Sequence, residues 1–318
     1  MYQHRDYPEK SWSASKLESF YSCKRQYYFN AYGHWNGWEF DADERTKQIY
    51  RLKKIQNCYT LSGQLLHEQI KNVFNYRVDN PQTMLTAIRT SLNDSVKNSI
   101  HKKSYWQQKP NRLTMLHEYY YGKGINKQLG NQIIDRMKTC LTNFFKSDIY
   151  HDFKAGTIKI IENEEQGFPH FTFNDYKIYC ILDMLYKKGD NYYIVDWKTG
   201  KPAAEENRRQ MVVYALYVLS QYQNISLANI KGINKYLLSG ETIEYNFTSE
   251  DVVDCRDMLE NSITKMENYL ENKEQNQPKN ELVFEANVGR HCKMCNFVGI
   301  CQEAQATNQV AVTKELGQ

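Results

Sequence analysis

No stretch of this chain approaches the roughly 18 consecutive apolar residues that a membrane-spanning helix needs. Its opening segment, Met1 to Lys10, lacks the apolar run of a secretory signal. The expectation is therefore a cytoplasmic protein, in which cysteines are not read as a disulfide framework. There is no internal repeat, and no Gly-x-x-x-x-Gly-Lys-Ser/Thr loop, which argues against a built-in P-loop motor. A second Cys-x-x-Cys pair is missing, and with it the simplest zinc signature. Strong charge of either sign is missing too: 41 Lys and Arg stand against 37 Asp and Glu, for a net charge of +4. That mildly basic balance permits a nucleic-acid partner without demanding one. Lys24-Arg25, Lys53-Lys54, Lys102-Lys103 and Arg208-Arg209 are each, taken singly, ordinary solvated surface.

What is present is apolar and aromatic mass. Of 318 residues, 41% are hydrophobic, enough for one large domain or two modest ones. The 25 Tyr, 13 Phe and 5 Trp are abundant. Tyr packs a ring while its hydroxyl stays satisfied, so much of this belongs to the core and its edge. Stacking on unpaired bases is the other use, and composition does not separate the two.

Periodicity divides the chain. After the cap-like Ser13-Ala14-Ser15, apolar residues at helical spacing predict a helix over 11–32, and Leu61, Leu65, Leu66, Ile70, Val73 and Phe74 predict another over 58–78. Residues 81–156 are polar with helical fragments such as Ile133 to Phe145, and read as a helical insertion. From residue 157 the chain turns β-branched and aromatic. Strands are expected at Thr157 to Ile161, Tyr176 to Tyr186, Asn191 to Trp197, Ile230 to Leu238 and Thr242 to Phe247. Lys187-Lys188-Gly189-Asp190 marks a hairpin. A helix is expected from about Arg208 to Gln221, and another after the capping-box-like Thr248-x-x-Asp251. Residues 271–280 read as a loop and 303–318 as a disordered tail. The organisation expected is an N-terminal helical part (1–80), the insertion (81–156), a core of sheet and helix (157–247), and a C-terminal helix with a cysteine cluster (248–302).

The sharpest signal is Ile194-Val195-Asp196-Trp197-Lys198-Thr199-Gly200. Strand alternation puts Asp196 and Lys198 on one face, about 6–7 Å apart along the strand. Asp183 and Asp196 are symmetric about the point between Gly189 and Asp190, so a simple antiparallel register sets them opposite each other. Two bare carboxylates that close repel, and a bound cation removes the cost. A lysine beside them can steady or deprotonate a water. The bland reading is a surface Asp–Lys pair at a strand end. On the following helix, Gln210 and Tyr214 share a face at i, i+4 and could reach a phosphate or the attacking water. Read alone, they are a polar seam.

Tyr179-Cys180-Ile181-Leu182-Asp183, then Ile194 to Gly200, then Gln210-Met211-Val212-Val213-Tyr214-Ala215, resembles the RecB-like nuclease branch of the PD-(D/E)XK superfamily. The resemblance covers roughly residues 11–74 and 157–302. It implies an α/β fold with a restriction-endonuclease-like mixed β-sheet flanked by helices. It also implies Mg²⁺- or Mn²⁺-dependent hydrolysis of DNA. Asp183 and Asp196 match its metal-binding acids, Lys198 its catalytic lysine, and Gln210 and Tyr214 its Gln-x-x-x-Tyr motif. Gly63-x-x-x-His67 resembles the upstream motif whose histidine assists the metal, and the carbonyl of Trp197 would be a further ligand. Cys180 stands where the family often has Gly, and Trp197 where Tyr is common.

Cys292-Lys293-Met294-Cys295 and Cys301 form a C-x2-C-x5-C cluster, which lacks a fourth ligand. Some relatives in that branch hold a [4Fe-4S] cluster with one cysteine before the nuclease core and three after it. The resemblance assigns the first position to Cys23, followed here by Lys24 where Pro is frequent. Such a cluster would staple the N- and C-terminal regions together. Zn²⁺, with His291 as a possible ligand, is the alternative. Cys58, Cys140, Cys180 and Cys255 read as core residues. The expected enzyme is a deoxyribonuclease, an exonuclease on single strands or ends, working with a helicase or a defence-system partner. The rivals are a non-catalytic nucleic-acid-binding or interaction subunit on the same fold, and a ribonuclease.

Overall fold

The β-rich stretch after residue 157 supplies seven strands: β1 (Lys159–Glu162), β2 (His170–Phe173), β3 (Tyr176–Tyr179), β4 (Met184–Lys188), β5 (Asn191–Lys198), β6 (Ile230–Tyr236) and β7 (Thr242–Asn246). The computed structural model describes residues 4–122, 124–163, 167–201 and 204–306. Of the expected tail, residues 307–318 lie outside the described residues, while 302–306 are helical. Five strands form a mixed sheet in the order β7-β6-β5-β4-β1. Only β5 and β6 run parallel in it. A parallel pair needs a crossover. Of three helices that matter here, α1 (Cys58–Tyr76), α2 (Lys127–Phe145) and α3 (Ala204–Gln221), the third provides it.

The β4–β5 hairpin turns at Gly189, whose φ of +60° a side chain would strain. Central β5 buries Ile194, Val195, Asp196 and Trp197. The Trp197 indole stacks near Phe74 of α1 (6.3 Å between centroids) and meets Phe144 of α2 edge-on (5.5 Å). Alternation along β5 then leaves Asp196 and Lys198 for the other face.

The expected continuous strand from Tyr176 to Tyr186 is two strands in two ladders. β3 pairs with β2, β4 pairs with β5, and residues 180–183 cross between them. The crossing backbone finds other partners: the Cys180 amide donates to the Pro169 carbonyl (2.9 Å), and the Ile181 carbonyl accepts from the Tyr214 hydroxyl (3.0 Å). Asp183 therefore stands just outside the start of β4 rather than in mid-strand.

The chain divides into two compact units. One comprises Cys58–Asp94 and Ile125–Glu260 and contains the five-stranded sheet. The other comprises Met1–Asn57, Ser95–Gly124 and Asn261–Gln318. The expected insertion is thus shared, residues 95–124 belonging to one unit and 81–94 with 125–156 to the other. In the second-named unit the helix expected over 11–32 breaks at Cys23, which is extended at φ −161° between Ala14–Ser22 and Lys24–Tyr28. A π-helical turn, Phe29–Gly33, follows. The core there gathers Phe29, Leu52, Trp106, Met115 and Phe297. Arg25 is buried in the same unit. Its guanidinium meets Glu303 at 2.9 Å and Glu281 at 3.6 Å, and its Nε donates to the Phe284 carbonyl at 2.9 Å. The expected loop at 271–280 contains a short hairpin, Leu270–Asn272 with Gln277–Pro278. Among the described residues, no helix is long and apolar enough to cross a membrane.

Candidate active site

The β4–β5 ladder pairs Met184 with Val195 and Leu185 with Ile194. One more step sets Asp183 opposite Asp196, the arrangement the hairpin arithmetic predicts. The ladder itself stops at Met184, and Asp183 holds β5 by its side chain instead. Its Oδ2 accepts the Trp197 backbone N–H at 2.7 Å, and its Oδ1 lies 3.1 Å from His67 Nδ1. Trp197 thus enters the site through its backbone while its indole is core.

Lys198 Nζ lies 2.5 Å from Asp196 Oδ2 and donates to Gln210 Oε1 at 3.1 Å. Gln210 Nε2 donates to the Tyr214 hydroxyl (2.8 Å), which donates to the Ile181 carbonyl (3.0 Å). The Gln-x-x-x-Tyr pair on α3 is therefore spent on orienting Lys198 and fastening the crossing before Asp183.

Burial in an apolar strand and then the charge of Asp183 raise the Asp196 carboxyl to about 6, with Lys198 pulling the other way. Burial, followed by the charges of Asp196 and Asp183, pushes the Tyr214 phenol well up. This crowding of negative charge fits a cation. Two carboxylates and a peptide carbonyl, joined by one imidazole, are a mainly oxygen donor set, suited to Mg²⁺ or Mn²⁺. Among the described residues, no group of three or more His, Cys, Asp or Glu side chains is arranged to hold a metal ion. Lys198 sits on Asp196, and His67 leans on Asp183.

Three features of the site are absent from the motif reading. The first is Asn234 on β6, fully buried (0% exposed) and in register with Asp196 across the parallel pair. Its Nδ2 donates to Asp196 Oδ2 at 3.0 Å, while its Oδ1 has no hydrogen-bond partner among the described residues. The sequence signal was there: amide side chains are depleted in central strands, so one between Ile233 and Lys235 needs a reason. Asn234→Ala should lower the cleavage rate and metal affinity by about 10–100-fold, as loss of a ligand's hydrogen-bond partner does. Metal titrations followed by single-turnover cleavage check this, and wild-type values would remove Asn234 from the site.

The second is Arg136 of α2, whose guanidinium donates to the Thr199 carbonyl and lies 5.9 Å from the Tyr59 ring. The third is the reason for Gly63. Tyr59, Gly63 and His67 share one face of α1, and a Cβ at Gly63 would come within 3.3 Å of Thr199 Oγ1. Glycine lets α1 approach the turn after β5 and bring His67 to Asp183.

The other unit holds the four cysteines of the expected cluster. Cys23, Cys292, Cys295 and Cys301 line one small cavity, with His291 also on its wall. Backbone amides approach two of the sulfurs at 3.4 Å, Asn287 N at Cys23 Sγ and Gly289 N at Cys292 Sγ. Burial pushes the Cys295 thiol up to about 11, and the other three cysteines add to the shift. Cys58, Cys140, Cys180 and Cys255 are buried elsewhere, as expected of core residues.

Comparison with curated proteins finds no match. A family model does match, that of the PD-(D/E)XK nuclease superfamily, over residues 11–302. That span takes in both carboxylates, Lys198, the α3 pair and Cys23, Cys292, Cys295 and Cys301, and the chain belongs to the PD-(D/E)XK nuclease superfamily.

Proposed function

We propose that the chain is a RecB-like deoxyribonuclease that hydrolyses phosphodiester bonds at single strands or ends, as an exonuclease. Asp183, Asp196, His67 and the Trp197 carbonyl are the residues that would hold Mg²⁺ or Mn²⁺. When bound, such an ion lowers the pKa of a water and polarises the phosphate. The observation that carries the reading is Lys198 held at 2.5 Å from Asp196 and tied back through Gln210. A lysine fixed by two partners keeps its ammonium where a phosphate oxygen gains charge. Asn234 limits the rotation of Asp196, and the Trp197 N–H does the same for Asp183. A helicase or defence-system protein that delivers an opened end is the partner this activity fits.

The test is cleavage of matched single-stranded DNA, duplex DNA and RNA by protein purified without oxygen, with Mg²⁺ or Mn²⁺. Lys198→Ala should lose about 10²–10⁴-fold in rate. Preferential cleavage of the RNA would replace the substrate. Binding without cleavage by the parent would leave a non-catalytic subunit on this fold.

The proposal extends to a [4Fe-4S] cluster held by Cys23, Cys292, Cys295 and Cys301. Two things support it: the shared cavity, and amide hydrogens directed at two sulfurs, as around clustered thiolates. Zinc held by the same four thiolates, through Zn–S bonds of about 2.3 Å, is the alternative, and metal analysis of the purified protein separates the two.

A further inference from the structure

The unit that contains residues 95–124 carries a groove that neither candidate site uses. It lies between the turn at 37–40, the helix Glu44–Lys53 and the segment 104–112. Its volume is about 820 Å³, within the roughly 300–1,000 Å³ of small-ligand sites. Three aromatic residues line it, Trp38, Phe40 and the buried Tyr50. Phe40 is 97% exposed and Trp38 is 38% exposed. Trp38 is nonetheless fixed: it meets Trp35 edge-on at 5.1 Å and Tyr50 at 5.7 Å, and its indole N–H donates to Glu39 at 2.9 Å. The loop bearing Phe40 is held as well, since Lys47 Nζ donates to the Phe40 carbonyl at 2.8 Å and sits 5.9 Å from its ring centroid. An aromatic ring that is braced yet left in water forgoes the burial that drives the core.

The charge around the rings is one-sided. Lys47, Arg51, Lys109 and Arg112 line the groove, against Glu39 as the one lining carboxylate among the described residues. Glu39 is occupied by Trp38. Glu44, next to the groove, is a loose partner of Lys47 (3.7 Å) and Arg51 (3.8 Å). Lys109 and Arg112 are exposed on the opposite wall. An apolar ligand gains nothing from four cations, and a duplex hides the faces of its bases. Unpaired nucleotides offer both phosphates and π-faces.

We propose that this groove binds single-stranded nucleic acid, with bases stacked on Trp38 and Phe40 and phosphates neutralised by Lys47, Arg51, Lys109 and Arg112. The proposal rests on the nuclease reading only for its biological substrate, since binding is measured separately from cleavage. The test variant combines Phe40→Ala, Lys109→Gln and Arg112→Gln, all at exposed positions of the full-length protein. Fluorescence anisotropy with dT20 and rU20, without divalent ions, should show at least about tenfold weaker binding on one or both. Which of the two responds identifies the sugar. The salt slope for that strand should fall by about 1.4, about 0.7 for each phosphate contact removed. Hydrolysis of bis(p-nitrophenyl) phosphate, too small to use the groove, should stay unchanged in this variant and be lost in Lys198→Ala. Affinity unchanged within twofold on both strands overturns the groove. So does an equal loss on blunt duplex, which would mark a general electrostatic patch. A parent that binds the strands but hydrolyses no diester overturns the nuclease reading and leaves the groove standing.

Discussion

Asp196→Asn is expected to abolish metal-dependent cleavage, by at least about 10³-fold, while making the metal-free protein more stable at neutral pH. The two effects have one cause. In the folded chain the Asp196 carboxyl is raised to about 6, because burial and the Asp183 charge disfavour its ionised form. Unfolded, it would titrate near about 3.9. The folded state therefore holds this proton more tightly. Its stabilising contribution is complete below about pH 4 and is lost as pH rises to about 6, with no further change above. Asparagine imitates the protonated acid and can still accept from Asn234. At neutral pH the variant should regain about 3 kcal/mol, a rise in Tm of roughly 6–12 °C. The same substitution removes the charge that attracts a divalent ion, so Mg²⁺ or Mn²⁺ should stabilise the parent and not the variant. Thermal melts between about pH 3.5 and 8, with and without metal, read all of this. If parent and variant lose stability alike between pH 4 and 6, Asp196 is not the titrating group. If the variant still cuts, the site is elsewhere.

The pairing of Asp183 with Asp196 was legible because a hairpin is local. A two-residue turn at Gly189 fixes the register, and alternation does the rest. Asn234 was not legible in the same way. It reaches Asp196 across a parallel pair, and nothing in the sequence gives the register of two strands joined by the whole of α3. The break at 180–183 was hidden for a different reason. Cys180-Ile181-Leu182 continues the apolar run of β3, and its departure from the ladder depends on Pro169 and Tyr214, which are distant in sequence. Gln210 and Tyr214 fall between these cases. Their spacing placed them on one face of α3, but only the packing of α3 against β5 shows that they serve Lys198 first. The division of residues 81–156 between two units was invisible too, because polar amphipathic helices do not declare which core they join.

Cys295→Ser should remove iron from the protein and loosen the unit that contains both chain ends. Cys295 shares one cavity with Cys23, Cys292 and Cys301, and a [4Fe-4S] cluster takes four thiolates, so its loss should cost the whole cluster and not one ligand bond. A cluster that joins Cys23 to Cys292 closes a loop of well over 200 residues, and its loss should cost about 5 kcal/mol by loop-entropy reasoning. Arg25 makes the same connection without metal, through Glu303, Glu281 and the Phe284 carbonyl. The variant should for that reason loosen more than unfold outright. Hydrogen exchange should quicken around Ala14–Gly33 and 290–301, where both ties lie. A second variant, with Arg25→Met added, should lose protection across the rest of the unit. Acid should slow cluster assembly, since the Cys295 and Cys301 thiols, raised by burial, must each release a proton to a metal. Cys255→Ser is the control, a cysteine buried outside the cavity, and it should keep the iron and the colour. Iron retained by Cys295→Ser would sink the assignment, and so would a colourless parent carrying one zinc per chain.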